Sequence, residues 1–229
     1  MKLKLLSVNS DAKTIKGLKY NYLTAILYLS PHKLSGVNLC ALAEKHKCYI
    51  SCLNTAGRGK FSNVQNARMR KSQWFNTNPI TFIDQLKNDI SDFIRYATKK
   101  NYVPCVRLNG TSDIVWSKHG VIQEFPDTQF YNYYKNPKVG KEDFPNYHLT
   151  YSFSGAYPQY PKQHNWAVVF DSVLPNEFHG RKVIDGDLSD LRFLDKKNVV
   201  LGLRAKGLAK RDDTGFVVRD IQKFNSNGD

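Results

Sequence analysis

Six short apolar runs follow one another between residues 102 and 205, and each stops in polar or glycine-containing sequence. They are YVPCVRL (102–108), TQFYNYY (128–134), YHLTYSF (147–153), WAVVF (166–170), RKVID (181–185) and VVLGLRA (199–205). Runs rich in β-branched and aromatic residues, bounded by Gly, Asn, Asp, Ser and Pro, read as strands. A further run, NYLTAILYLS (21–30), stops at Pro31 in the same way. The later endings are NGTSD (109–113), KNP (135–137), SG (154–155), DGD (185–187) and KG (206–207). Apolar strands whose C-terminal ends all open into polar loops predict an α/β fold with its chemistry collected on one rim of a parallel sheet. After residue 113 only 137–145 and 188–194 offer short crossover helices, so the expectation is a partial or irregular parallel (β/α) barrel.

Two helices are legible. Asn78 can cap one, Pro79 suits its first position, and Ile83, Leu86, Ile90, Phe93, Ile94 and Ala97 recur at the spacing of one buried face, with an end near Lys100 and Asn101. Ser62 followed by Gln65 reads as a capping box, predicting another helix that carries Arg68, Arg70 and Lys71 towards Trp74. The RMRK stretch on it (68–71) has the pattern of a solvated basic face. The 229 residues suit a single domain, 1–229, with no internal repeat or clear linker and with a tail at 224–229 expected to fray. No run approaches the roughly 18 apolar residues of a membrane span, and MKLKLLSVNSDAKTIKGLKY lacks the apolar core of a signal peptide, so a cytoplasmic protein is expected.

Three of the four cysteines, Cys40, Cys48 and Cys52, lie in a loop at about 31–60 directly after the first strand, spaced C-x7-C-x3-C. Such density in a reducing compartment points to metal or redox chemistry. Three thiolates suffice to hold three irons of a 4Fe-4S cluster, leaving the fourth iron open. A closed zinc site would need a fourth ligand, for which His46, His32 or Cys105 could serve. Three buried, unliganded thiols are the remaining alternative. Cys105 lies inside an apolar strand and is expected in the core.

Four other places carry candidate chemistry. The turn Asn109, Gly110, Thr111, Ser112 and Asp113 offers backbone amides, hydroxyls and a carboxylate for a cofactor or substrate, although strand-terminal turns share that composition. Asp185 and Asp187, with Arg204 and Lys206, could bring acidic and basic groups to the same rim as substrate-binding residues, or form a hairpin-like turn and a solvated edge. His148 is a candidate acid or base, though a lone strand histidine is more often packed. The aromatic segments FYNYYKNP (130–137) and YSFSGAYPQYP (151–161) could stack on bases beside lysines, or be half-buried sheet residues. A formal net charge of +14 favours an anionic partner, either an unknown small molecule or a polymer such as nucleic acid.

In order along the chain, SPHKLSGVNLCALAEKHKCYISCLNTAGRG, VPCVRLNGTSDIVW, NYHLTYSFSG, VIDGDLSDLRFLD and VVLGLRAKG resemble the phage protein family named after mycobacteriophage gene eighty-eight, over about residues 20 to 218. That resemblance implies a phage-encoded protein working in the host cell cytoplasm. A more distant similarity is to radical S-adenosylmethionine enzymes. In them a loop after the first barrel strand carries three cluster cysteines, and a glycine-rich turn after the second strand holds the cofactor's amino group. Cys40, Cys48 and Cys52 match the first feature, with C-x7-C-x3-C in place of that family's C-x3-C-x2-C. Asn109 to Asp113 match the second. The similarity implies a radical-SAM-like barrel, a 4Fe-4S cluster and S-adenosylmethionine as cofactor. Two other functions compete with it: a basic nucleic-acid-binding protein with a structural zinc, and a metal-dependent nuclease or phosphodiesterase using Asp185, Asp187 and His148.

Overall fold

The computed structural model describes residues 4–9, 12–157 and 160–222; the tail at 224–229 lies outside them. Nine strands form one sheet: β1 (Leu6–Val8), β2 (Tyr22–Leu27), β3 (Val103–Arg107), β4 (Gln129–Tyr134), β5 (Tyr147–Ser152), β6 (Asn165–Phe170), β7 (Glu177–Phe178), β8 (Arg181–Asp185) and β9 (Val200–Arg204). Their spatial order is β1-β2-β3-β4-β5-β6-β9-β8-β7. The pairings from β2 through β6 to β9 and on to β8 are parallel, and only the edge strands β1 and β7 run antiparallel to their neighbours. All seven expected strands are present, and the C-terminal ends of the parallel ones open on one edge of the sheet.

Among the described residues three α-helices accompany it: α1 (Ala12–Lys16), α2 (Ser62–Thr77) and α3 (Pro79–Lys99). Helix α3 starts as expected, with Pro79 in its first turn and the Asn78 side chain accepting from the Thr81 amide at 3.3 Å. Its stripe of Phe82, Leu86, Ile90, Phe93 and Ala97 joins Leu23, Ala25 and Leu27 of β2 and Val106 and Leu108 at β3 in the main core. Helix α2 begins differently from the capping-box reading. Phe61 occupies the cap position without a side-chain bond, and Ser62 is already helical. The basic stretch on α2 is also less solvated than expected. Arg68 and Lys71 are buried, and Lys71 donates its ammonium to the Leu5 carbonyl at 2.7 Å. The segments 137–145 and 188–194 contribute only short 3-10 turns, Val139–Lys141 and Arg192–Leu194.

Alternation along each strand separates two faces. One carries the main core. On the other, Cys105, Tyr131 and Leu191 form a small cluster, and Cys105 is fully buried, as a core residue should be. Segment 186–195, which follows β8, lies across this second face. There Phe193 meets the Tyr22 ring at 5.0 Å, and Asp190 accepts from the Arg107 guanidinium at 3.1 Å and the Tyr131 hydroxyl at 2.9 Å. Lys13 of α1 reaches Asp187 at 3.0 Å and the Gly186 carbonyl at 3.0 Å, so elements from the two ends of the strand order touch. Hydrogen bonding leaves the sheet open: among the described residues β1 pairs only with β2, and β7 only with β8. The fold is therefore a mixed α/β sheet, mostly parallel, and a closed or radical-SAM-like barrel does not follow from its pairing. No helix among the described residues is long and apolar enough to cross a membrane.

Candidate functional site

The cysteine loop leaves the C-terminal end of β2 and is built from successive turns rather than a helix. Bonds from the Ala43 amide to the Cys40 carbonyl, from His46 to Leu42 and from Cys48 to Ala43, all 3.0 to 3.1 Å, coil its middle. The rest of the protein holds it from three sides. Ser154, just beyond β5, donates its hydroxyl to the His46 carbonyl at 2.7 Å; Ser51 donates to Asp212 at 3.0 Å; and Arg68 of α2 donates to Asn54 at 2.5 Å while stacking over the Tyr28 ring. Cys48 also packs against the cluster of Ala205, Ala209, Phe216 and Val217.

All four cysteines are free thiols. Burial pushes the Cys40 thiol up to about 12, and Cys48 and Cys52 upward as well. The three share an electrostatic neighbourhood, since Cys40 feels both Cys52 and Cys48. Cys40 donates to the Thr111 carbonyl at 3.4 Å, and Cys52 accepts from the Asn54 amide at 3.5 Å. Lys135, the residue after β4, stands among them. Burial lowers its ammonium, and the three cysteines and Asp113 act in the opposite direction. Its Nζ donates to the Ser152 carbonyl and hydroxyl at 2.8 and 2.5 Å. Among the described residues no carboxylate lies within ion-pair distance of it. Nor is any group of three or more His, Cys, Asp and Glu among them assembled so that it could hold a metal ion or cluster.

The Asn109 to Asp113 turn shares the rim with the cysteine loop, as expected, but most of its polar atoms serve the protein itself. Asn109 accepts from Ser112, the Ile114 amide and the Trp116 indole, and donates to the Ile114 carbonyl at 2.9 Å. Thr111 donates to the Leu29 carbonyl. Gly110 is required for close approach, because a Cβ there would stand 2.7 Å from the Leu27 carbonyl oxygen and 2.6 Å from the Tyr28 ring. One Asp113 oxygen accepts from the Lys135 and Asn136 amides at 3.0 and 2.6 Å. The other is buried without a hydrogen-bond partner among the described residues, and burial lifts this carboxyl to about 6.

Asp185, Asp187, Arg204 and Lys206 do meet, at the ends of β8 and β9. Arg204 reaches Asp185 at 3.0 Å, and Lys206 and Lys13 reach Asp187 at 2.7 and 3.0 Å. Both carboxylates are thus committed to ion pairs within the protein. His148 stands apart from them. Thr150 pairs with Asn165, Val168 with Gly202 and Asp185 with Gly202. His148 and Asp185 are thus about five residues apart along the strand direction, roughly 16 Å at about 3.3 Å per residue. Burial lowers the His148 imidazole to about 4, and His164 and Arg192 act in the same direction. A nuclease centre joining it to the two aspartates has no geometric basis here.

A model of the family described as gene product 88 matches residues 3–220. The chain belongs to the gene product 88 family. This is the phage family whose motifs the sequence carries. No curated protein and no solved structure matches the chain. The similarity to radical S-adenosylmethionine enzymes is not supported.

Two further features bear on the site of this gene product 88 protein, the first missed by the sequence reading and the second a histidine it named only as a possible fourth zinc ligand. One is a groove of about 410 Å³ beside the thiols, bordered by Lys45 of the cysteine loop, Lys135 and Lys141 after β4, and Tyr151, Tyr157 and Tyr160 at and beyond β5. Both aromatic segments of the sequence contribute to it. The other is His46, fully buried against the Tyr157 ring at 4.6 Å, with neither ring nitrogen hydrogen-bonded among the described residues. Burial lowers its imidazole to about 3, so it is neutral. His32 lies elsewhere, bonded to Glu44 at 3.0 Å. Cys105 bonds to Thr24 at 3.2 Å on the sheet, leaving His46 the more natural extra ligand of the three named.

Proposed function

We propose that this gene product 88 protein is an iron–sulfur protein of the host cytoplasm in which Cys40, Cys48 and Cys52 hold a 4Fe-4S cluster, on a curled sheet best regarded as a partial barrel. The observation that carries it is the gathering of three thiols around Lys135, whose ammonium makes no direct ion pair among the described residues and has Asp113 as its nearby carboxylate. A buried charge is costly unless compensated. A four-iron core bound by three thiolates is anionic overall and would add to the counter-charge that Asp113 supplies to Lys135, with Arg68 a further cation near Cys52. The chemistry of the donor set therefore fits a cluster. Neither a cluster nor a zinc finds its ligands already assembled among the described residues, so the three thiols would have to draw together on either one. The amide of Asn54 already donates to Cys52, a bond that would stabilise a liganded thiolate.

When bound, such a cluster supplies one-electron chemistry, with an iron lacking a cysteine ligand open to a small molecule. The protein's own part is to bind and orient. Lys135 holds negative charge at the thiols, and the anchors from Ser154, Ser51 and Arg68 keep the loop on the rim. The test is iron, sulfide and zinc content of anaerobically purified protein, with absorption spectra before and after dithionite. About four iron and four sulfide per chain, bleached on reduction, are expected. Cys48→Ala and Cys52→Ala should lose the iron while Cys105→Ala keeps it. One zinc and no iron, or iron unaffected by the first two substitutions, would refute the assignment and turn the loop into scaffold for a basic nucleic-acid-binding protein.

A further inference from the structure

We propose that the groove beside the cysteine loop is a binding site for a nucleoside monophosphate. None of the described residues that line it is a thiol, and Lys135 is the side chain it shares with the cysteine site. Its volume of about 410 Å³ falls within the range of small-molecule sites. Three lysines line it from different segments: Lys45 from the cysteine loop, Lys135 from the end of β4, and Lys141 from the following turn. None of the described residues lining it is Asp or Glu. Together these select an anion.

The walls select an aromatic one. Tyr134, Tyr151, Tyr157 and Tyr160 line the groove. The Tyr134 hydroxyl is held by His164 at 2.5 Å and the Tyr160 hydroxyl bonds to His179 at 3.3 Å, which leaves their rings as the contact surface. Gly140 brings backbone so close to Tyr134 that a Cβ there would lie 2.4 Å from the ring, a wall fitted without a side chain. The Lys45 ammonium sits 4.4 Å from the centre of the Tyr157 ring, so a phosphate bound at Lys45 has an aromatic surface beside it for the attached base. Inorganic phosphate would leave the rings unused, and an uncharged nucleoside would leave the lysines unused. S-adenosylmethionine carries a sulfonium cation that three ammonium groups repel. The small volume favours one nucleotide over a continuous strand.

The test uses the full chain, purified both with and without oxygen. Calorimetric titrations compare deoxyadenosine and thymidine 5′-monophosphates with the corresponding nucleosides, inorganic phosphate, S-adenosylmethionine and an eight-nucleotide oligothymidylate. At least one monophosphate should bind about tenfold or more tightly than its nucleoside and than inorganic phosphate, with or without iron. The exposed pair Lys45→Glu and Lys141→Glu together should weaken it by about tenfold, equivalent to about 1.4 kcal/mol. Tyr157→Ala should weaken the nucleotide while leaving inorganic phosphate unchanged. Near-ultraviolet circular dichroism checks that each variant folds. Cys48→Ala should retain nucleotide binding, so loss of iron and loss of nucleotide are read separately. Equal affinity for phosphate and nucleotide, binding of the oligonucleotide alone, or indifference to the charge reversal would overturn the assignment.

Discussion

Replacing Asp190 by alanine should be among the most damaging single changes away from the rim. Asp190 is 3% exposed and accepts from Arg107 at 3.1 Å, Tyr131 at 2.9 Å and Tyr133 at 3.3 Å. Arg107 is itself buried, with its guanidinium 4.6 Å from the Tyr133 ring centre. Removing the carboxylate strands that cation, at a cost of about 3 to 5 kcal/mol, and each hydroxyl left without an acceptor adds about 1 kcal/mol. Against a total stability of about 5 to 15 kcal/mol, the variant should be marginal. Urea unfolding at pH 7 should show a lower midpoint with an unchanged slope. Asp190→Asn retains an acceptor and should lose less, and Asp190→Leu combined with Arg107→Met should recover most of the loss by replacing the pair with apolar packing. Burial alone would push the Asp190 carboxyl up, but Arg107, Arg192 and Lys13 outweigh it and hold it below the usual range. Its contribution is therefore present above the unfolded value of about 3.9 and is lost as pH falls through the lower folded value. A loss below about 1 kcal/mol for Asp190→Ala at pH 7 would refute this account of the second face.

Two further changes probe the rim. Gly110→Ala should destabilise by about 1 to 3 kcal/mol in urea unfolding, because the new Cβ would meet the Leu27 carbonyl oxygen, which a side-chain rotation cannot move. Asp113→Asn should be more stable than the parent at pH 8, by up to about 3 kcal/mol. The folded carboxyl is raised to about 6, so its ionisation disfavours the folded state and stability falls as pH rises from about 4 through 6, whereas the amide keeps an acceptor and does not titrate. A parent protein that gains stability from Asp113 over that interval would show the opposite sign.

Much of this fold was legible because its elements are encoded locally. The strands from β2 to β6, with β8 and β9, combine apolar runs with polar stops, and α3 repeats its buried residues over twenty-one positions. The missed elements are too short for any periodicity to register: β1 has three residues, α1 has five and β7 has two. They exist because tertiary contacts hold them, as when Leu5 donates its amide to Asp89 of α3 at 2.6 Å. Ser62 and Gln65 carried the right composition for a cap, yet the chain arrives extended at Phe61 and enters the helix one residue earlier in register.

The candidate site was legible in its residue types and not in its partners. Cys40, Cys48 and Cys52 announce themselves by spacing, but Lys135 looks like any lysine before a proline turn. Its importance arises from a loop nearly a hundred residues earlier. The Asn109 to Asp113 turn shows the converse. Its composition is the same for holding a ligand as for satisfying itself, and the distinction lies with Leu29, Trp116, Lys135 and Asn136.

The net charge of +14 is likewise uninformative until the carboxylates are located. At the ends of β8 and β9, Asp185 and Asp187 pair with Arg204, Lys206 and Lys13 and offset two of their three charges. At the β4 and β5 half of the same rim, Lys45, Lys135 and Lys141 line a groove without lining carboxylates among the described residues. The rim is thus divided into an ion-paired half and a half whose lysines lack such partners among the described residues. The second half also carries the three thiols, so an anion in the groove and a negatively charged centre at the thiols would both draw on Lys135, the one side chain common to the two.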